Sequence, residues 1–163
     1  MGDAGKPIML MGLDDSNHSY HALEWTIDHF FTPHGTNYPF KLIIIHARPT
    51  AASAVGLAGP GSADFLLMVD TDLKRQAQKV TDKVRQICSS KSLDDVQVDV
   101  TEGDPRTVMV EAVDKYHAAM LVLGSHGYGA IKRAVLGSVS DFCAHHAHCS
   151  VMIVKKPKAK PKN

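Results

Sequence analysis

The chain has 163 residues and a mass of 17.7 kDa, enough for one domain with a sizeable core and little besides. Hydrophobic residues make up 44% and charged residues 21%, as in ordinary water-soluble proteins, and no apolar run reaches the ~18 residues of a membrane span. The net charge of +1 includes Lys155, Lys156, Lys158, Lys160 and Lys162. Residues 1–154 without them carry −4, a poor balance for duplex nucleic acid, whose affinity comes from neutralised phosphates.

Met1 to Pro7 holds Asp3 and Lys6 and no apolar leader core, so a cytoplasmic protein, with nuclear entry as a second option, is expected. Cys88, Cys143 and Cys149 are too few and too far apart for a disulfide framework, which agrees with reduced thiols. Pro157 and Pro161 among the lysines make residues 155–163 an extended, solvated tail following a domain of residues 1–154.

Pro7 to Leu13 is apolar without alternation, the pattern of a strand covered on both faces, and it ends at Asp14-Asp15. Ser16 caps a helix whose Tyr20, Leu23, Ile27, Phe30 and Phe31 recur at helical spacing. Phe40 to Ala47, with three successive isoleucines, is a second buried strand. Residues 48–63 hold two prolines and three glycines and read as a long loop. Leu73, Ala77, Val80, Val84 and Ile87 then mark a long amphipathic helix.

Val96, Val98 and Val100 alternate with polar residues, predicting a half-exposed strand at a sheet edge. Gly103-Asp104-Pro105 starts the next helix, with Asp104 as cap and Val108, Ala112, Val113 and Tyr116 on its buried face. Ala118 to Leu123 is a fourth strand, Ser138 to His146 a last helix, and Ser150 to Val154 a last strand. This alternation predicts an α/β fold: one doubly wound parallel sheet with helices on both faces. Ligands of such sheets bind beyond the carboxyl ends of the strands, which puts Asp14, Ala47 and the segment after Leu123 on one rim.

The chemistry concentrates in Gly124-Ser125-His126-Gly127-Tyr128-Gly129 and, after Lys132 and Arg133, in Gly137-Ser138-Val139-Ser140. Glycines after a buried strand let backbone N–H groups approach a ligand closely. Gly137-Ser138 opens a helix, where unpaired N–H groups and the dipole favour an anion. Two amide-rich spots on one rim suit a polyphosphate. A P-loop is excluded because Gly129 is followed by Ala130 and Ile131 in place of lysine and serine or threonine. The dinucleotide fingerprint is excluded because no glycine follows the first strand until Gly35.

Gly124-x2-Gly127-x9-Gly137-Ser138, together with Asp14 at the end of the first strand, resembles the nucleotide signature of the universal stress proteins, in the ATP-binding subclass. The segments around His46, Gly56 to Gly61 and Ala144 to Cys149 look like the plant branch. The resemblance implies a Rossmann-like five-stranded sheet of order 3-2-1-4-5 that binds ATP, or AMP or ADP, at the point where strand order reverses. Gly12 and Asp14 would line the nucleoside end, and Ala47 the adenine edge. Leu123, Gly124, Ser125, His126, Gly127 and Gly129 would wrap ribose and phosphates, and Gly137, Ser138, Val139 and Ser140 would take the outer phosphates. Mg2+ would accompany ATP, because bare triphosphate oxygens repel one another. Lys132 and Arg133 sit within reach of phosphates or on a solvated helical turn.

The resemblance further implies a homodimer pairing through Val151 to Val154, acting as a nucleotide-dependent stress switch or chaperone-like protein. Two alternatives stand beside it: a nucleotide-independent interaction scaffold of the same fold, and a slow ATPase. No activated nucleophile, base-orienter pair or P-loop lysine is visible, so binding is favoured over catalysis. His18-x2-His21 has the outer spacing of a nucleotidyltransferase motif but lacks its glycine, and reads as two surface histidines. Cys143, His145, His146, His148 and Cys149 are metal-type ligands whose spacing on a helix end and a strand start does not converge, so adventitious binding is the expectation.

Overall fold

The computed structural model describes residues 5–55, 63–126 and 136–157. Its elements, in chain order, are β1 (Ile8–Gly12), α1 (Asn17–Phe30), a 3-10 turn (Thr32–His34), β2 (Lys41–Arg48), α2 (Ala51–Val55), α3 (Ala63–Ser90), β3 (Gln97–Glu102), α4 (Pro105–Tyr116), β4 (Met120–Gly124), α5 (Ser138–His146) and β5 (Ser150–Val154). The five strands form one sheet of order β3-β2-β1-β4-β5, and every pairing is parallel. The expected fold is therefore the observed one.

The unbroken apolarity of the central strands follows from cover on both faces. In β1, Met9 and Met11 pack with Tyr20, Leu23 and Ile27 of α1 and Val80 and Val84 of α3. Leu10, between them, turns to the other face with Val108, Met109 and Val113 of α4 and Cys143 of α5. The isoleucine triplet divides the same way: Ile44 joins the first core, Ile43 and Ile45 the second. A strand side chain alternates by two, so a strand buried on both faces has no position left for a polar residue.

Both predicted helix starts form as read. Ser16 caps α1, its hydroxyl accepting from the N–H of Ser19 at 3.1 Å, and Asp104 caps α4 by accepting from the N–H of Arg106 at 2.9 Å. The expected loop of residues 48–63 is shorter than its composition suggested. Arg48 still belongs to β2, residues 51–55 make the short helix α2, and α3 begins at Ala63, ten residues before the first member of its apolar stripe. Those first turns of α3 leave Phe65, Leu67 and Met68 exposed, so no buried stripe announced them.

Candidate functional site

The sheet order places β1 beside both β2 and β4, and the helices α1 and α5 pack on opposite faces of the sheet. The crevice between the carboxyl ends of β1 and β4 is the rim on which ligands of such sheets sit. Four backbone segments meet there: residues 13–19, 124–126, 136–140 and the chain leaving β5.

Asp14 follows β1 and is locked in place. Its Oδ1 accepts from the N–H of Ser16 at 3.0 Å and from the hydroxyl of Ser19 at 2.7 Å, and its own N–H donates back to that hydroxyl at 3.2 Å. The β1–β2 step beside it is tied twice. Leu13 N–H donates to Ile45 O at 2.9 Å, and the His46 Nδ1–H donates to Leu13 O at 2.8 Å, which fixes the His46 tautomer. Ala47, one residue on, is half-buried against the second core.

Gly12 and Gly124 are packing glycines as well as rim residues. A Cβ on Gly12 would lie 2.7 Å from Leu123 Cδ2 and 2.8 Å from Met109 Sδ. One on Gly124 would lie 2.9 Å from His18 O, so the first turn of α1 rests directly on the end of β4. Beyond Gly124, Ser125 is buried and acts as a junction. Its N–H donates to Val154 O at 3.1 Å, and its carbonyl accepts from Gly137 N–H at 2.6 Å and from the Ser140 hydroxyl at 3.0 Å. Those bonds hold the ends of β4 and β5 and the start of α5 at one point.

The Ser140 hydroxyl also reaches Gly137 O at 3.1 Å, so its one hydrogen is shared between two carbonyls of the protein. That side chain holds α5 in place, and what it offers a ligand is its backbone. α5 is capped by Gly137 without a side-chain hydrogen bond, and its intrahelical ladder begins with Asp141 N–H donating to Gly137 O. The N–H groups of Ser138, Val139 and Ser140 are the helix-start donors that the ladder leaves over, at the positive end of the helix dipole. Gly137 has φ −71°, a value open to any residue, so its backbone conformation does not call for glycine.

One rim residue was misread from the sequence. His18 was expected at the surface; it is half-buried, its Nδ1 is fully buried without a hydrogen-bond partner, and its ring lies 5.2 Å from that of His126. Burial, then the neighbouring His126 and Lys156, hold its pKa below the usual histidine value, against the pull of Asp14. The cap at Ser16 is the clue the sequence held: it fixes residue 18 in the first turn of a helix that starts at the ligand rim.

The sequence profile described as the universal stress protein family matches residues 7–155, nearly the whole chain and every element of this sheet. The chain belongs to the universal stress protein family. A universal stress protein of Methanocaldococcus jannaschii is 33% identical over 104 residues, 64% of this chain and 59% of that protein. The chain spans about three fifths of the length of the first curated relatives it matches. Among solved structures, the universal stress protein UspA from Lactobacillus plantarum aligns with a TM-score of 0.74 at 15% identity, covering 92% of this chain and 99% of that one. A universal stress protein family protein from Arabidopsis thaliana, solved with AMP bound, aligns with a TM-score of 0.64 at 20% identity, covering 93% of each chain.

Within this universal stress protein fold the predicted rim residues Gly12, Asp14, Ala47, Leu123, Gly124, Ser125, His126, Gly137, Ser138, Val139 and Ser140 stand at or beside the carboxyl ends of β1, β2 and β4 and at the start of α5. Gly127, Gly129, Lys132 and Arg133 lie outside the described residues. The cysteine–histidine group at the far end of α5 does not converge. Cys143 is in the core, its thiol pushed up to about 11 by burial, while the His145 and His146 Nδ1–H groups donate to the carbonyls of Asp141 and Phe142. His148 pairs with Asp114 at 3.1 Å, and among the described residues no group of three or more His, Cys, Asp or Glu is placed to hold a metal ion.

Proposed function

We propose that this protein binds an adenine nucleotide on the rim between β1 and β4, ATP in preference with AMP or ADP as further ligands, and uses it as a stress-responsive switch. The observation that carries the reading is the start of α5: three helix-start N–H donors, Ser138, Val139 and Ser140, held against the end of β4 through Ser125. Such a helix start is a ready site for phosphate. The AMP found in the Arabidopsis structure of the same fold supports an adenine nucleotide as the ligand class.

In this reading Asp14, already oriented by Ser16 and Ser19, presents its carboxylate to the sugar hydroxyls, and Ala47 offers backbone groups to the base edge. Gly124, Ser125, His126, Gly127 and Gly129 follow the ribose and inner phosphates. Mg2+ would be carried on the phosphate oxygens and its own water, the usual manner for this ion with nucleotides. A homodimer through Val151 to Val154 would give the switch a second surface to act on.

Calorimetric titration of Mg-ATP into the wild type and into Gly137→Val tests the reading. The backbone angle tolerates valine, so the variant is expected to keep its circular dichroism spectrum while its two γ-methyls obstruct phosphate at the helix start. One-to-one binding in the wild type, lost in the folded variant, is the expected outcome. Absence of binding in nucleotide-free wild type would turn the assignment to an interaction scaffold that needs no nucleotide.

A further inference from the structure

His18 comes from α1 and His126 from the segment after β4, and they meet because glycine at 124 lets the first turn of α1 sit on the strand end. The two rings, 5.2 Å apart and tilted by 55°, stand near Asp14, and Ser125, next to His126, is bonded to Gly137 and Ser140 at the start of α5. The neighbouring His126 discourages protonation of His18, and a buried ring nitrogen with no partner is a polar atom left without compensation. Both residues keep part of their surface exposed, and an anion seated against that surface gives His18 an opposite charge that favours its protonated form.

The charged and titratable groups facing His18, among the described residues, come from each neighbouring element. They are Asp14 after β1, His21 on the next turn of α1, His126 after β4, and Lys156 beyond β5, where Val154 O is tied to Ser125 N–H. Asp14 opposes the other three, and its Oδ1 is engaged by Ser16 and Ser19. The local balance therefore suits a negative ligand, the more so once His18 is protonated.

We propose that His18, beside His126, is a proton-operated phosphate contact of the nucleotide site: His18 takes up a proton when phosphate binds, so affinity for a nucleotide rises as pH falls. This rests on the nucleotide reading given above and adds to it a residue, His18, and a mode of regulation. It also separates ligands by charge, because adenosine offers the pair no anion.

The test is the affinity of ATP and of adenosine for the wild type and His18→Gln across about pH 5 to 8, the range in which histidine changes charge. Wild-type affinity for ATP is expected to rise by about tenfold across that range, the effect of one pKa raised by about one unit on binding. The rise should be largely lost in His18→Gln, and adenosine binding should stay flat in both. Titration of the ATP phosphates themselves is common to both proteins and cancels in the comparison.

Equal pH slopes in the two proteins would overturn the proposal and leave the nucleotide reading intact. Failure of both ligands to bind at every pH would overturn the nucleotide reading and this inference with it. Should the variant not fold, the His18 ring is followed by NMR in the wild type with and without ATP. A pKa raised by the ligand supports the proposal, and an unchanged one overturns it.

Discussion

At the scale of single residues, two glycines that look alike in the sequence have different jobs. Gly12 and Gly124 each end a buried strand, and each would meet a neighbour closer than 3.0 Å if it carried a Cβ. For Gly12 the obstacle is the far end of Leu123 and of Met109, flexible atoms that can rotate away. For Gly124 it is the carbonyl of His18, backbone in the first turn of a helix. Gly124→Ala must therefore move α1 off β4, and is expected to destabilise the protein by about 1–3 kcal/mol in urea unfolding, the usual penalty of overpacking. Gly12→Ala should cost less, and a larger loss at Gly12 would show that Met109 and Leu123 cannot yield. Because His18 stands on the displaced turn and Asp14 is bonded to Ser19 of that turn, Gly124→Ala should also weaken ATP binding.

At the scale of elements, what was legible depended on periodicity. Runs such as Met9 to Leu13 and Leu42 to Ile45 have no polar gap, and the two helix caps at Ser16 and Asp104 are side-chain chemistry readable in three letters. The first two turns of α3 were not legible, because Phe65, Leu67 and Met68 are exposed and repeat no buried face. His18 escaped for a related reason: it lies off the apolar stripe of α1, and only the placement of that helix on Gly124 turns it inward. Ser140 is legible in the sequence as a residue at the start of α5, but its side-chain role is not, since the partners at Ser125 and Gly137 are set by the return of α5 onto β4. That role is testable. Ser140→Ala removes a buried hydroxyl and the bond it shares between two carbonyls, which keep their backbone donors from Gly137 and Asp141, so a loss of about 1 kcal/mol is expected. Ser138→Ala, at an exposed hydroxyl, should leave stability within about 0.5 kcal/mol of the wild type in the same unfolding assay.

At the scale of the whole molecule, the sheet has two edges of opposite character. The β3 edge, Gln97 to Glu102, alternates polar side chains, and Glu102 is held at 2.8 Å by Arg48, which also reaches Asp70 at 3.1 Å. Charges along an edge strand deter pairing with a second sheet. The β5 edge reads Ser150-Val151-Met152-Ile153-Val154, with no charge, and Val151, Met152 and Ile153 are only half-buried. An apolar, uncharged edge is the surface expected to seek a second copy, and a two-fold axis would let the same strand serve both partners. Light scattering at micromolar concentration should give twice the chain mass of 17.7 kDa. Ile153 pairs with Leu123 in register but joins neither core cluster, so Ile153→Lys places a charge on the edge without opening the interior. That variant should run at the mass of one chain with an unchanged circular dichroism spectrum. A wild type already at the mass of one chain would remove β5 as a pairing edge, and a dimeric Ile153→Lys would move the contact elsewhere on the surface.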